Sequence, residues 1–190
     1  MTCRNHRKGS LRQGGFTLIE LIVVVIILGI LAAVALPRFV NLQRDARIAK
    51  LQAARGSVSA SAALVHATAL ARSGVVDTVA CAGGGFANNI VTAAGTVCSE
   101  SGLISTTFGY PAATGVGTTP GILSAAGLTG VFNPTAADLL AEGYTYAVDG
   151  TVATFGVVGA PSPGTCAFTY AQPTAANSAP TISALATEGC

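Results

Sequence analysis

The sequence predicts an α+β protein: one long amino-terminal helix, lipid-soluble in its first half and amphipathic in its second, packed on an antiparallel β-sheet head. Three observations carry that expectation. Residues 21–36 form a run of 16 uncharged positions. Beyond it, apolar residues recur at three- and four-residue steps as far as Ala69. The last third holds two β-branched and aromatic stretches separated by Asp149-Gly150, a two-residue hairpin signal.

The apolar run, taken with Phe16 to Ile19 and Glu20, is 21 residues long. At about 1.5 Å per residue that nearly matches a bilayer core. Glu20 is out of place there, since inserting such a group costs about 2.5–3.5 kcal/mol, so it calls for a partner. Before the run stands a leader, residues 1–15, with Arg4, Arg7, Lys8 and Arg12 and no acid. Positive charge of this kind stays on the cytoplasmic side and sends the rest across the inner membrane. Gly29 and Pro37 lower helix propensity, and a kink or locally meltable stretch is expected near them. A competing reading is an ordinary signal peptide cut after Ala35 in Ala33-Val34-Ala35. Glu20 has no use in such a segment, and the helical pattern continues past it. That continuation also argues against a simple anchor ending at Pro37.

In the continuation, Ile48, Leu51, Val58, Ala62, Val65 and Ala69 define one face, broken by Arg55, while Arg44, Asp45, Arg47 and Gln52 fall largely elsewhere. Gly74, after Arg72 and Ser73, is a stop signal. Residues 16–72 then make a helix on the order of 85 Å long. So long a helix in a small protein needs other copies to bury its first half outside the membrane, and helical polymerisation supplies them.

The head begins with a connecting region, residues 74–143, of little periodicity. Two short helices are signalled inside it. Asn133-Pro134 before Thr135, with Gly143 after Glu142, gives a cap, a first-turn proline and a terminal glycine. Thr119-Pro120 before Ile122 to Ala126 is a weaker case. Tyr144 to Val148 and Thr151 to Val158 then read as a hairpin turning at Asp149-Gly150, and Cys166 to Tyr170 adds a third strand.

Charge must be read with the leader set aside. The chain has 10 Lys+Arg against 8 Asp+Glu, but four bases lie in the leader, which leaves six against eight and a net charge of −2. Bulk charge therefore gives no support for nucleic-acid binding. Of 5 cysteines, Cys3 lies in the leader, and Cys81, Cys98, Cys166 and Cys190 make an even set that suits an oxidising compartment. Three pairings are open. Cys81 with Cys98 and Cys166 with Cys190 are favoured because both enclose local loops, each worth about 3 kcal/mol in the chain-entropy model.

Nothing in the chain signals catalysis, a cofactor or a metal. His66, beside Val65 on the helix, suits packing better than general-base work. There is no Cys-x-x-Cys, and no nucleophile or metalloprotease motif. The loop from Gly115 to Gly121 has no basic residue to hold a phosphate, and Asp138, Glu142 and Asp149 are too spread for a calcium cage.

Gly15-Phe16-Thr17-Leu18-Ile19-Glu20 resembles the processing site of type IV prepilins. The resemblance implies cleavage between Gly15 and Phe16, N-methylation of the new terminal Phe16, roles for Glu20 and Pro37 in assembly, and the type IV pilin fold. It also implies a prepilin peptidase and methyltransferase, the pilus assembly machinery and copies of the same subunit as partners. The carboxy-terminal two-thirds is similar, more loosely, to mannose-sensitive haemagglutinin (MSHA) pilins, through Phe108-Gly109-Tyr110-Pro111-Ala112-Ala113-Thr114 and the stretches Cys166-Ala167-Phe168-Thr169-Tyr170 and Ala179-Pro180-Thr181-Ile182, ending at Gly189-Cys190. That likeness implies a subunit of an attachment pilus whose last cysteine closes a carboxy-terminal loop. The organisation expected is a leader (1–15), a membrane and assembly half-helix (16–37), an amphipathic half-helix (38–73), a connecting region (74–143), and a β-sheet and disulfide region (144–190). A pseudopilin of a type II secretion system would share the first 37 residues. The paired cysteines and long head loops fit a pilus subunit better.

Overall fold

The computed structural model describes residues 16–190; the leader, with Cys3 and Gly15, lies outside the described residues. The chain divides into two units, Met1–Leu42 and Gln43–Cys190. Helix α1 (Leu18–Arg72) begins in the first and continues into the second.

In the first unit α1 presents an apolar surface on all sides. From Phe16 through Leu36 no large hydrophobic side chain is less than 48% exposed. A surface of that extent has no place in water, and α1 is long and apolar enough to cross a membrane. Its helical course is unbroken through Gly29 and Pro37, although Pro37 has no N–H to donate to the preceding turn.

In the second unit the core is built on one stripe of α1. Leu51, Ala54, Val58, Ala62, Val65 and Ala69 are all buried, at the spacing of one helix face. The stripe is not broken at Arg55, as the sequence reading has it. Ala54 supplies the missing step, 1% exposed, and its small side chain escapes notice in a pattern read from large ones.

Two antiparallel sheets pack with this stripe. The first comprises β1 (Ala94–Cys98), β2 (Leu103–Thr107) and β3 (Tyr110–Pro111) in that order. Its strands were not anticipated in the connecting region. They are short and rich in Gly, Ser and Thr, and in β1 only Val97 is buried. Their turn is Phe108-Gly109, with φ of +52° and +79°, and an aromatic residue in that conformation is not a turn signature. Val97 and Ile104 cluster with Val65 and Ala69 of α1.

The second sheet runs β4 (Tyr144–Asp149), β5 (Val152–Val157), β6 (Ala167–Ala171) and β7 (Thr181–Ile182). The hairpin lies where the sequence puts it, but shifted by one residue. Asp149 pairs with Val152, so Gly150 and Thr151 make the turn, and Gly150 takes the first turn position at φ +56°. That position demands a positive φ, which glycine adopts without steric cost. The third strand starts at Ala167 rather than Cys166, because Cys166 ends a 3-10 turn over Pro163–Thr165. Phe155 and Phe168 stack at 5.0 Å between centroids, Tyr146 meets Phe155 edge-on at 4.9 Å, and Leu51, Val58 and Leu139 join the same cluster.

Of the two short helices, α2 spans Ile122–Ala126, as expected. The other, α3 (Ala136–Ala141), is capped by Thr135 and not by Asn133. The Thr135 side chain accepts from the Asp138 N–H, and the Asp138 carboxylate accepts from the Thr135 N–H at 2.8 Å. That box satisfies two groups left free at a helix start. The Thr135 N–H, and then its hydroxyl, hold the Asp138 carboxyl below the usual carboxylate range.

Polar ties join the second sheet to residues 111–114. The Tyr170 hydroxyl donates to the Pro111 carbonyl at 2.7 Å, the Tyr146 hydroxyl to the Thr114 carbonyl at 2.8 Å, and Gln172 accepts from the Ala113 N–H. Burial pushes both phenols above a tyrosine's ordinary 10.0. A raised pKa in the folded state contributes stability below the unfolded value and loses it as pH rises through the folded one. The head is therefore expected to lose stability progressively above about pH 10. Tyr170→Phe leaves the buried Pro111 carbonyl without its donor and is expected to cost about 1–3 kcal/mol. Urea unfolding monitored by circular dichroism at pH 7 and pH 11 checks both effects: the variant unfolds earlier at pH 7, and its stability falls less steeply with alkali.

Candidate assembly site and the disulfide-closed head

Glu20 lies in the first turn of α1, and the structure shows what it touches. Its carboxylate accepts from the Thr17 backbone N–H at 2.9 Å and from the Thr17 hydroxyl at 2.7 Å. In return the Glu20 N–H donates to the Thr17 hydroxyl at 3.3 Å. This is a reciprocal capping box, in which the charge is satisfied within one helical turn. Thr17 is the residue that sequence reasoning passed over. Its signal was present as Thr-x-x-Glu, the spacing that lets threonine and glutamate reach each other's backbone.

Phe16 stands one residue before that box and is 86% exposed. Cleavage before it would place a free amine next to the Thr17 N–H that already donates to Glu20. Gly15 lies outside the described residues. Pro37 is on the same helix as Glu20, roughly 25 Å farther along at 1.5 Å per residue. The structure does not bring the two together.

In the head, Cys81 is bonded to Cys98 and Cys166 to Cys190, with Cα atoms 5.4 and 4.8 Å apart. The first closes a loop between α1 and β1. Within that loop Asn89, fully buried and at φ +51°, donates from its amide to the Val75 carbonyl and to Asp77. Asp77 also pairs with Arg72 at 2.7 Å. Asp77, Cys81 and Cys98 lie close enough to share a metal ion, but both sulfurs are spent in the disulfide.

The second disulfide is buried in the main core cluster. Around it three arginines of α1 donate to carbonyls of the last eight residues: Arg44 to Thr187 at 3.3 Å, Arg47 to Cys190 at 2.6 Å and Arg55 to Ser183 at 2.8 Å. The basic positions that seemed incidental to the helix pattern thus strap the carboxy-terminal segment to the helix. Ala186 adds an isolated bridge to Ala167 beside β6. His66 is packed face to face on Tyr110, with centroids 3.8 Å apart.

An apolar helix opened by a threonine–glutamate capping box and continued into a disulfide-closed antiparallel head is consistent with the type IV pilin fold. Comparisons with known proteins agree. Residues 10–36 match the prokaryotic N-terminal methylation motif. The chain is also 46% identical over 54 residues to the type IV narrow pilus major component PilA5 of Thermus thermophilus, an alignment covering 28% of this chain and 47% of that protein. The chain thus spans under half the length of the curated relative it matches. No solved structure matches it. The chain is thus similar to type IV pilin-like proteins, a structural family rather than an enzyme family.

Proposed function

We propose that this protein is a structural subunit of a type IV pilus, made as a precursor, cut between Gly15 and Phe16, methylated on Phe16, and held in the inner membrane by residues 16–37 until it is polymerised into a surface fibre. The observation that carries this reading is the apolar half of α1, whose large hydrophobic side chains from Phe16 to Leu36 are exposed, with a single acid, Glu20, one turn from the proposed processing point. A membrane covers that surface before assembly, and copies of the same helix cover it afterwards. The likeness to PilA5, a pilus major component by its name, supports the same conclusion. Within it, residues 38–73 serve as the spine of the head, 74–143 as the connecting region, and 144–190 as the sheet and disulfide region. The likeness of 108–114 and 166–190 to MSHA pilins supports attachment as the fibre's task. In the structure those segments form the β2–β3 turn with β3, and the β6 and carboxy-terminal region.

Amino-terminal mass spectrometry of fibres sheared from cells tests the reading. Methylated Phe16 in long fibres is the expected result. A mature chain beginning near Leu36 would establish a secreted protein with an ordinary signal, and methylated Phe16 found only in membranes or short periplasmic assemblies would favour a pseudopilin.

Processing is expected to depend on Gly15, because a peptidase closing on the membrane face needs a residue without a side chain there. Gly15→Val should accumulate as a full-length membrane precursor on immunoblots. Mature-size protein at the normal rate would move the cleavage site elsewhere.

A further inference from the structure

The two disulfides sit in different surroundings. Cys166 and Cys190 are 0% and 4% exposed inside the main core cluster. Cys81 and Cys98 instead line an open cleft of about 460 Å³ at the end of α1, shared with Arg72, Asp77, Ser99 and Glu100. Cys98 is only half-buried there, and the cleft is used neither by the core nor by the assembly site.

Three features make this corner more than a closed loop. The first is the ligand set. The two sulfurs and a carboxylate oxygen of Asp77 lie within 4.8 Å of one another, against edges of about 3.6–3.8 Å in a tetrahedral zinc site. The second is that the backbone holds all three residues without help from the bond. Asp77 donates its N–H to the Ala87 carbonyl and Cys81 to the Gly85 carbonyl, each at 2.8 Å, while Cys98 is fixed in β1 opposite Leu103. The third is the setting of the carboxylate. The fully buried Asn89 donates its amide to one oxygen at 2.9 Å, and Arg72 donates to the other at 2.7 Å. These bonds orient Asp77 as outer-shell partners orient a metal ligand, and they leave lone pairs free for an ion.

We propose that Cys81, Cys98 and Asp77 form a redox-gated site for a divalent cation of the zinc class, closed while the disulfide stands and opened by its reduction. A dithiol reductant supplies the two electrons: its thiolate attacks one sulfur, the bond between Cys81 and Cys98 breaks, and the reductant departs as its own disulfide. The two cysteine thiols give their protons to water as the ion binds. Thiolate ligands select this class of ion over calcium and magnesium, which take oxygen. Charge favours the same occupant. Two thiolates and a carboxylate carry three negative charges, and a divalent ion with the Arg72 guanidinium returns three positive ones, so the filled site is neutral. Water in the open cleft takes the fourth position. The inference concerns the head alone and does not rest on the fibre.

The test uses the full chain in lipid nanodiscs, with Cys3→Ser so that the leader adds no thiol. The protein is reduced with a water-soluble trialkylphosphine, which takes oxygen from water as it is oxidised, and is titrated without air with cobalt(II) as a coloured stand-in for zinc(II). Peptide mapping is expected to find Cys81 and Cys98 reduced while Cys166 and Cys190 remain bonded. The reduced protein is expected to bind cobalt(II) one to one, with a thiolate-to-metal charge-transfer band that zinc(II) abolishes, and the oxidised protein to show no such band. Asp77→Asn keeps the shape, removes the charge and should weaken the affinity at least about tenfold. Cys81→Ser combined with Cys98→Ser should remove the band. The proposal is overturned if the reduced protein gives no band, if the doubly substituted chain gives the same band, if Asp77→Asn binds as tightly as the wild type, or if the Cys166–Cys190 bond opens first. A head whose circular dichroism collapses on reduction and is not restored by the metal overturns it as well.

Discussion

Glu20→Gln protein is expected to be cut and methylated at the normal rate, to remain in the inner membrane, and to give few or no fibres. Glutamine is close in shape to glutamate, and its amide oxygen still accepts from the Thr17 N–H and hydroxyl that hold Glu20 now. The substitution therefore keeps the helix cap and removes only the charge. In an apolar fibre centre the new Phe16 amine would then be an unpaired ion, at a cost of several kcal/mol per subunit. We propose as its pairing partner Glu20 of the same chain or of a neighbour already in the fibre, and pairing with the neighbour would also set the axial register. Should Glu20 serve only peptidase recognition, the variant would fail at cleavage instead. Immunoblots of processed and unprocessed protein, with electron microscopy of sheared fibres, separate the two. Fibres of normal length and yield from fully processed Glu20→Gln protein would rule out charge pairing.

The second large effect is expected from Cys190→Ser. The bond to Cys166 spans 24 residues, for which the chain-entropy model gives about 3 kcal/mol. Cys166 and Cys190 are also 0% and 4% exposed within the main core cluster, so the variant buries a hydroxyl among apolar neighbours and leaves a thiol opposite it. The carboxy-terminal segment should loosen without detaching, because Arg44, Arg47 and Arg55 still donate to its carbonyls. Guanidinium unfolding should therefore show a stability loss of about 2–5 kcal/mol, and hydrogen exchange should rise first at Ala186 and Gly189, whose amides are bonded to Ala167 and Thr165. Combining Cys190→Ser with Arg47→Ala should release the segment further. A Cys190→Ser protein as stable as the wild type, with unchanged exchange, would show that the straps alone hold the carboxy terminus.

Much of the candidate site was legible because its signals are local. The uncharged run and its single acid need no tertiary partner to be read. Thr17 was equally local, and was missed because attention went to the charge and not to the cap three residues before it. The arginine straps were not legible. Arg47 and Cys190 are 143 positions apart, and no periodicity links a helix residue to a carbonyl at that distance.

By itself, the sequence determined the long helix, its apolar half, the face built on Leu51, Val58, Ala62, Val65 and Ala69, helix α2 and the second-sheet hairpin. These follow from repeat spacing and turn chemistry within a few residues. Only the tertiary structure decided that Ala54 completes the helix stripe, that Gly150 and not Asp149 opens the turn, and that Ala94–Cys98 and Leu103–Thr107 pair as strands. Weakly patterned segments become strands when a neighbouring surface takes up their few apolar residues, as Val65 and Ala69 do for Val97 and Ile104. The energy that selects them comes from contacts far apart in the chain, which local propensity does not contain.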